Sequence, residues 1–279
     1  MINLDLLAKT YFWFDKPVKY KLKDKTEVFI KPVQVIDSEM FLSWLDILCI
    51  DKNAISDPNI ISMSYLDFIV RVLLLSDNLP LAKLTLVQLT NILRLCLGWE
   101  GNIGIKCLDN KKIALTHEDS TITSKQFDEI RRIILYQNLI DFDDSYINPD
   151  VKQAMQEMDE VQSKVYDTPN LERRIAIISS HTGITKQQQL DMTYRSHCIL
   201  FREVCGEVEF STVRTAVMVG NMFSKKKNEL EDWIYKRKHS KYEKYFTSQD
   251  TFANSMGGKS AIRTDNVNLG EVDLSSFID

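Results

Sequence analysis

The sequence predicts a mainly α-helical protein with minor β structure, an α+β fold, and three observations carry that expectation. Glycine (9) and proline (6) are scarce for 279 residues, which disfavours loop-rich sandwiches and glycine-punctuated α/β enzymes and favours long helices. Apolar residues recur at helical spacing over most of the chain after Asp37. Strict alternation of apolar and polar residues is confined to two short places. With 44% hydrophobic and 27% charged residues, the chain has the composition of a globular protein, large enough for one big domain or two ordinary ones.

The first alternating place is Val18, Tyr20 and Leu22 against Lys19, Lys21 and Lys23, followed by Asp24-Lys25-Thr26 and Val28 to Ile30. It reads as a β-hairpin. Asp37 then stands where it can cap a helix through Met40, Phe41, Trp44, Leu45 and Leu48. Further helices are expected over residues 65–75 and 81–97, with turns at Asp57-Pro58-Asn59 and Asn78-Leu79-Pro80. A second hairpin is expected from Ile103, Ile105 and Cys107 against Ile113 and Leu115, linked through Asp109-Asn110.

The second half reads as helices marked by their starts and stops. Thr123 with Gln126 forms a capping box ahead of Phe127, Ile130 and Ile134. Asn148-Pro149-Asp150 opens a polar helix to about residue 165. Thr168-Pro169 opens another through Ile175 and Ile178, stopped by Gly183. Thr185 with Gln188 is a second capping box, and Thr193 can start a helix ending near Cys205. Residues 208–219 are ambiguous between strand and helix, and 224–245 read as a charged helix. From Thr247 onward Ser, Thr, Asn, Asp and Gly dominate, and a mobile tail is expected. The polar stretch 118–123 divides a hairpin-bearing part (1–120) from a helical part (121–246), with the tail at 247–279.

No catalytic or metal-binding pattern is complete. Gly257-Gly258-Lys259-Ser260 supplies the second half of a phosphate loop, but Ala253 stands where its first glycine belongs. Asp141-Phe142-Asp143-Asp144-Ser145 resembles the start of a calcium loop, yet Tyr146 replaces the turn glycine and Lys152 the bidentate glutamate. The four histidines are scattered. Cys198 and Cys205 share a helix face near His197 without the second pair a zinc site takes. No serine or cysteine sits in a nucleophile elbow. The five cysteines have no framework spacing and read as reduced thiols of a cytosolic protein. No secretory leader is expected at the start, and no apolar run approaches the ~20 residues that span a bilayer. No catalytic residue, metal or cofactor is therefore assigned.

The net charge of −4 and pI near 5.7 argue against a nucleic-acid binder acting with the whole chain. One local segment remains open to two readings. Lys225, Lys226, Lys227, Lys236, Arg237 and Lys238 are interleaved with Trp233, Tyr235 and Tyr242, a composition that can track a phosphate backbone and stack on bases. The other reading is an amphipathic helix docking Trp233 and Tyr235 while its lysines face water. Phe277 and Ile278, apolar residues in a polar tail, are a further candidate for partner docking.

The run 122–138 (ITSKQFDEIRRIILYQN), the stretch 173–192 with its ISSHTGIT turn, and Leu230-Glu231-Asp232-Trp233-Ile234 resemble segments of tail or baseplate assembly proteins of long-tailed bacteriophages. The resemblance covers about residues 122–235. It implies two helices packed about a Gly-Ile-Thr turn, a tryptophan closing the bundle, and no catalytic residues. The implied role is a chaperone or adaptor that binds a tape-measure, hub or baseplate protein in the cytoplasm of an infected bacterium. A structural component of the virion tail, baseplate or connector is the alternative of the same origin.

Overall fold

In the computed structural model, residues 2–52, 55, 57–75, 78–108, 112–144, 154–155, 157–158 and 169–223 are described. They form a mainly helical fold with two small antiparallel sheets, as the composition predicts. The first alternating segment gives its hairpin: β1 (Val18–Lys21) pairs with β2 (Glu27–Ile30), Val18 opposite Ile30 and Tyr20 opposite Val28. Before it, α1 (Leu4–Thr10) is capped by the Asn3 side chain and runs into a 3₁₀ turn at Phe12–Phe14.

A second 3₁₀ turn, Val35–Asp37, leads into α2 (Ser38–Trp44) and α3 (Asp46–Cys49). Asp37 precedes α2 as expected but accepts no capping hydrogen bond. Its backbone is already near-helical (φ −98°, ψ 0°), whereas a capping side chain reaches back from an extended residue. The Ser38 hydroxyl instead donates to the Val35 carbonyl at 2.7 Å. The expected turn at Asp57-Pro58-Asn59 proves to be the start of α4 (Pro58–Ser62), with Asp57 accepting from the Asn59 amide and proline in the first turn. α5 (Tyr65–Phe68) continues as a π-helical turn over Ile69–Leu74, where the Leu75 amide donates to the Val70 carbonyl five residues back. α6 (Leu79–Leu97) is capped by Asn78, carries Pro80 in its first turn, and ends at Gly98 with φ 67°.

The second sheet has one more strand than the alternation suggested. β3 (Gly104–Cys107), β4 (Ile113–His117) and β5 (Ser120–Thr123) pair in that order. The polar residues expected to mark a boundary at 118–123 make a tight turn, with Glu118 at φ 50° and Ser120 opposite His117, and then the third strand. β5 passes without a linker into α7 (Ser124–Asn138), opened by the expected Thr123–Gln126 capping box. One hydrophobic core runs from Phe12 through Phe41, Leu66, Ile92 and Leu115 to Ile130 and Leu135, so both sides of 118–123 share it. α7 is buried on more than one face: Phe127, Ile130 and Ile134 are covered, and so are Arg131, Gln137 and Asn138.

α8 (Leu171–Thr182) starts two residues later than expected. Asn170, not Thr168, caps it, accepting from the Arg173 amide at 2.9 Å, while Gly183 at φ 73° ends it as predicted. The Thr185–Gln188 capping box opens α9 (Lys186–Leu190). α10 (Tyr194–Phe223) begins at Thr193, whose hydroxyl accepts from the Ser196 amide, and runs for 30 residues. It does not stop near Cys205, and residues 208–219 are helix. An internal glycine is disfavoured by only about 1 kcal/mol relative to alanine, so Gly206 does not end a helix whose flanks propagate it.

The base of α10 is held to the N-terminal part. The Tyr194 amide donates to the Val33 carbonyl (2.8 Å) and the Val35 amide to the Met192 carbonyl (2.9 Å). The Asp15 carboxylate accepts from the hydroxyls of Thr193 (2.6 Å) and Ser196 (2.9 Å). The polar helix expected from Asn148, the charged helix 224–245 and the tail 247–279 lie outside the described residues. Among the described residues no helix is long and apolar enough to cross a membrane.

Candidate functional site

The most concentrated set of charged side chains in the core lies where α3, α5 and α7 meet. Arg131 is buried on α7; its Nε donates to the Leu48 carbonyl and its guanidinium lies 3.5 Å from the centre of the Tyr65 ring. The Lys52 ammonium sits 4.5 Å from the same ring and donates to the Ile61 and Met63 carbonyls. Asp128 accepts from the Tyr65 amide at 2.9 Å. Burial lowers the Lys52 pKa and raises that of Asp128. Carbonyls and an aromatic face hold both cations, and the cluster ties three helices together.

The residues that suggested metal chemistry are dispersed or already partnered. His117 stacks on Trp99 (centroids 4.9 Å apart) and bonds the Glu100 carbonyl. A ring nitrogen of His181 bonds the Ile177 carbonyl of its own helix. His197 is fully buried with both ring nitrogens unpartnered, and burial together with nearby Arg174 lowers its pKa. Asp141 pairs with Arg202, and Asp144 with Arg132 and Tyr136, so these two acids of the calcium-like run bind cations of the protein itself. Among the described residues no three His, Cys, Asp or Glu side chains converge on one point.

Two concavities flank α10. The larger, about 760 Å³, runs along it beside Leu139 to Phe142 and Arg174, with Tyr194, Cys198, Phe201, Cys205 and Glu209 forming its α10 wall. Arg174 lies over the Phe201 ring at 5.5 Å. Burial raises the Cys198 pKa and, with the Cys198 charge and hydrogen bond, pushes Tyr194 up to about 12. The smaller concavity, about 500 Å³, lies at the base of α10 between Asp15, Lys31, Asp37 and Asp191.

Apolar surface is the more telling feature. On the first half of α6, Leu79, Leu81, Leu84, Leu86 and Val87 are all exposed, and Leu75 just before it is 73% exposed. At 100° per residue these α6 side chains are spread over roughly 220° of the helix circumference, an arc that also contains Lys83 and Gln88. The buried positions Thr85 and Leu89 occupy the remainder. The 3₁₀ turn adds Trp13 and Phe14, and the outer half of α10 adds Val208, Val213, Met218, Val219 and Met222. The candidates Trp233, Tyr235, Phe277, Ile278, Lys225, Lys226, Lys227, Lys236, Arg237 and Lys238 lie outside the described residues. The chain matches no protein-family model, no curated protein and no solved structure.

Proposed function

We propose that this chain is a non-enzymatic bacteriophage tail or baseplate assembly factor that binds another tail protein in the cytoplasm of the infected host. The resemblance of residues 122–235 to such proteins motivates the reading. The observation that carries it is the exposed aliphatic surface of Leu75, Leu79, Leu84, Leu86 and Val87. Clustered exposed apolar surface marks interaction sites, and a helix that turns several aliphatic side chains outward is ordinarily covered there. A tape-measure, hub or baseplate protein offering an apolar helix is the partner such a surface suits.

The test is capture from infected cells with the tagged full chain, beside a Leu84→Asp/Val87→Asp variant that has the wild-type circular dichroism spectrum. A phage tail protein should co-purify with the wild type and be reduced at least tenfold with the variant. Recovery of no phage protein, or equal recovery with both, would overturn the proposal. Mass spectrometry of purified particles separates the two forms of the role: a stoichiometric amount indicates a virion component, absence an assembly chaperone.

A further inference from the structure

α8, α9 and the inner half of α10 enclose a second, much smaller interior. Among the described residues the main core ends at Leu135, with Leu139 and Phe142 packed against it, and nothing in 171–204 belongs to it. The fully buried apolar side chains of 171–204 are Ile175, Ile178 and Val204. Two polar side chains of the same stretch are buried as deeply, Gln189 of α9 and His197 of α10, both 0% exposed. The Gln189 amide donates to the Ile175 carbonyl (3.1 Å) and the Ser179 hydroxyl (2.8 Å), while its Oε1 accepts from no described residue. His197 is worse placed: neither ring nitrogen has a partner among the described residues. Buried polar groups left unpaired lower the stability of the elements that enclose them.

His197 is also the kind of side chain whose charge changes near neutral pH. As a neutral ring it forgoes hydrogen bonds; as a cation it stands in a dry site with no acceptor. Its surroundings bring no counter-charge. α8 brings Arg174, a second cation, α9 brings the uncharged Gln189, and α10 itself brings Tyr194 and Cys198, both held protonated by raised pKa values. Where α7 meets α10, Arg195 donates to the Tyr136 carbonyl. The carboxylates of the region are engaged elsewhere: Asp15 by Thr193 and Ser196, Asp141 by Arg202, Asp191 by Gln187.

The anchors decide which part yields. The foot of α10 is tied to the main body through Tyr194 to Val33, Val35 to Met192, and Asp15. By contrast, among the described residues no hydrogen bond joins 171–190 to residues 2–144. We propose that α8 and α9 form a pH-released arm: protonation of His197 detaches them from the inner face of α10, while the foot of α10 and the main core stay in place. Release uncovers Ile175, Ile178 and Val204 and takes Arg174 away from the 760 Å³ groove that it lines, so this apolar face is presented in acid and covered at neutral pH. The inference depends neither on the phage reading nor on the α6 surface.

Hydrogen–deuterium exchange of the full chain at pH 7.0 and 5.5, with labelling times scaled for the intrinsic exchange rate, tests it. One proton taken up on opening raises the open population up to tenfold per pH unit below about 6.5. Peptides from 171–191 should therefore lose protection by roughly tenfold at pH 5.5, while peptides from α6 and α7 keep theirs. His197→Leu and His197→Gln each fill the site without a titrating group and should each abolish the difference; two variants are made so that one misfolded protein does not decide the matter. Equal protection of 171–191 at both pH values, a loss shared by α6 and α7, or a full difference in a folded His197 variant would overturn the proposal.

Discussion

Asp15 joins the two ends of the described chain, and its removal separates two effects that a single substitution would confound. Its backbone is left-handed (φ 54°, ψ 30°), a region that disfavours most L-residues by about 1–2 kcal/mol but suits Asp, Asn and Gly. Its carboxylate accepts the hydroxyls of Thr193 and Ser196 at the first turn of α10. A hydrogen bond to a charged acceptor contributes about 1.5–3 kcal/mol when buried. The site is only partly buried, so about 1 kcal/mol for each bond is the reasonable figure. Asp15→Gly removes the bonds and keeps the permitted backbone, so it should lower stability by about 2 kcal/mol. Asp15→Ala removes the bonds and adds the left-handed penalty, for about 3 kcal/mol. Urea denaturation followed by circular dichroism reads both values. The reasoning fails if Asp15→Ala changes stability by less than about 0.5 kcal/mol, the usual range for surface substitutions, or if the glycine variant is no more stable than the alanine one.

Three further outcomes follow from single residues. His197 is buried and held neutral, its pKa lowered by burial and by Arg174, so the unfolded chain binds a proton in the window where the fold does not. Stability should therefore fall as pH drops below about 6.5, by up to about 1.4 kcal/mol per unit, and His197→Leu should remove that part of the slope in denaturation series at pH 7, 6 and 5. Gly183→Ala meets no atom within 4 Å but must hold φ at 73°, so thermal unfolding should show a loss of about 1 kcal/mol from backbone conformation alone. Cys96 is buried and its thiol is pushed up to about 12, whereas Cys107 is exposed; maleimide at pH 7.5 should label Cys107 within minutes and Cys96 only on unfolding.

Much of the fold was legible because it rests on short-range chemistry. The two capping boxes, the glycine stop at residue 183 and the first hairpin are each set by side chains within a few positions, and each formed as read. The expectations that failed depended on what lay beyond the window. The polar stretch 117–120 looks the same in a linker and in a hairpin turn; only the burial of Ile122 against β4 and α7 makes the following residues a strand. Asp37 has the right identity for a cap, but the preceding 3₁₀ turn had already fixed its backbone. Thr168 and Asn170 are both competent caps, and the choice between them fell to Asn170, whose carbonyl oxygen reaches the Arg173 amide.

The same distinction separates the buried cluster from the surfaces. Arg131 lies within a segment whose apolar spacing would place most neighbours inside, but its stacking on Tyr65 and its bond to Leu48 bridge sequence separations of 66 and 83 residues, which no periodicity encodes. The exposed faces of α6 and α10 pose the opposite problem. Their residue types are those of a core, so a sequence reading assigns them to the interior of this chain. The folded body covers Thr85, Leu89, Ile92, Leu93, Cys96 and Leu97 on α6 and His197 and Val204 on α10. What is left is apolar helix beyond the reach of the chain's own described core. Burying such a side chain contributes about 1.5–3 kcal/mol, so four or five exposed together supply a sizeable driving force for association, part of which offsets the lost freedom of the partners. The two faces lie on different helices and have different surroundings. α6 offers a mainly aliphatic surface interrupted by Lys83, suited to one amphipathic helix of another protein. α10 instead projects an outer half whose Val208, Val213, Met218, Val219 and Met222 are exposed beyond the body that covers His197 and Val204.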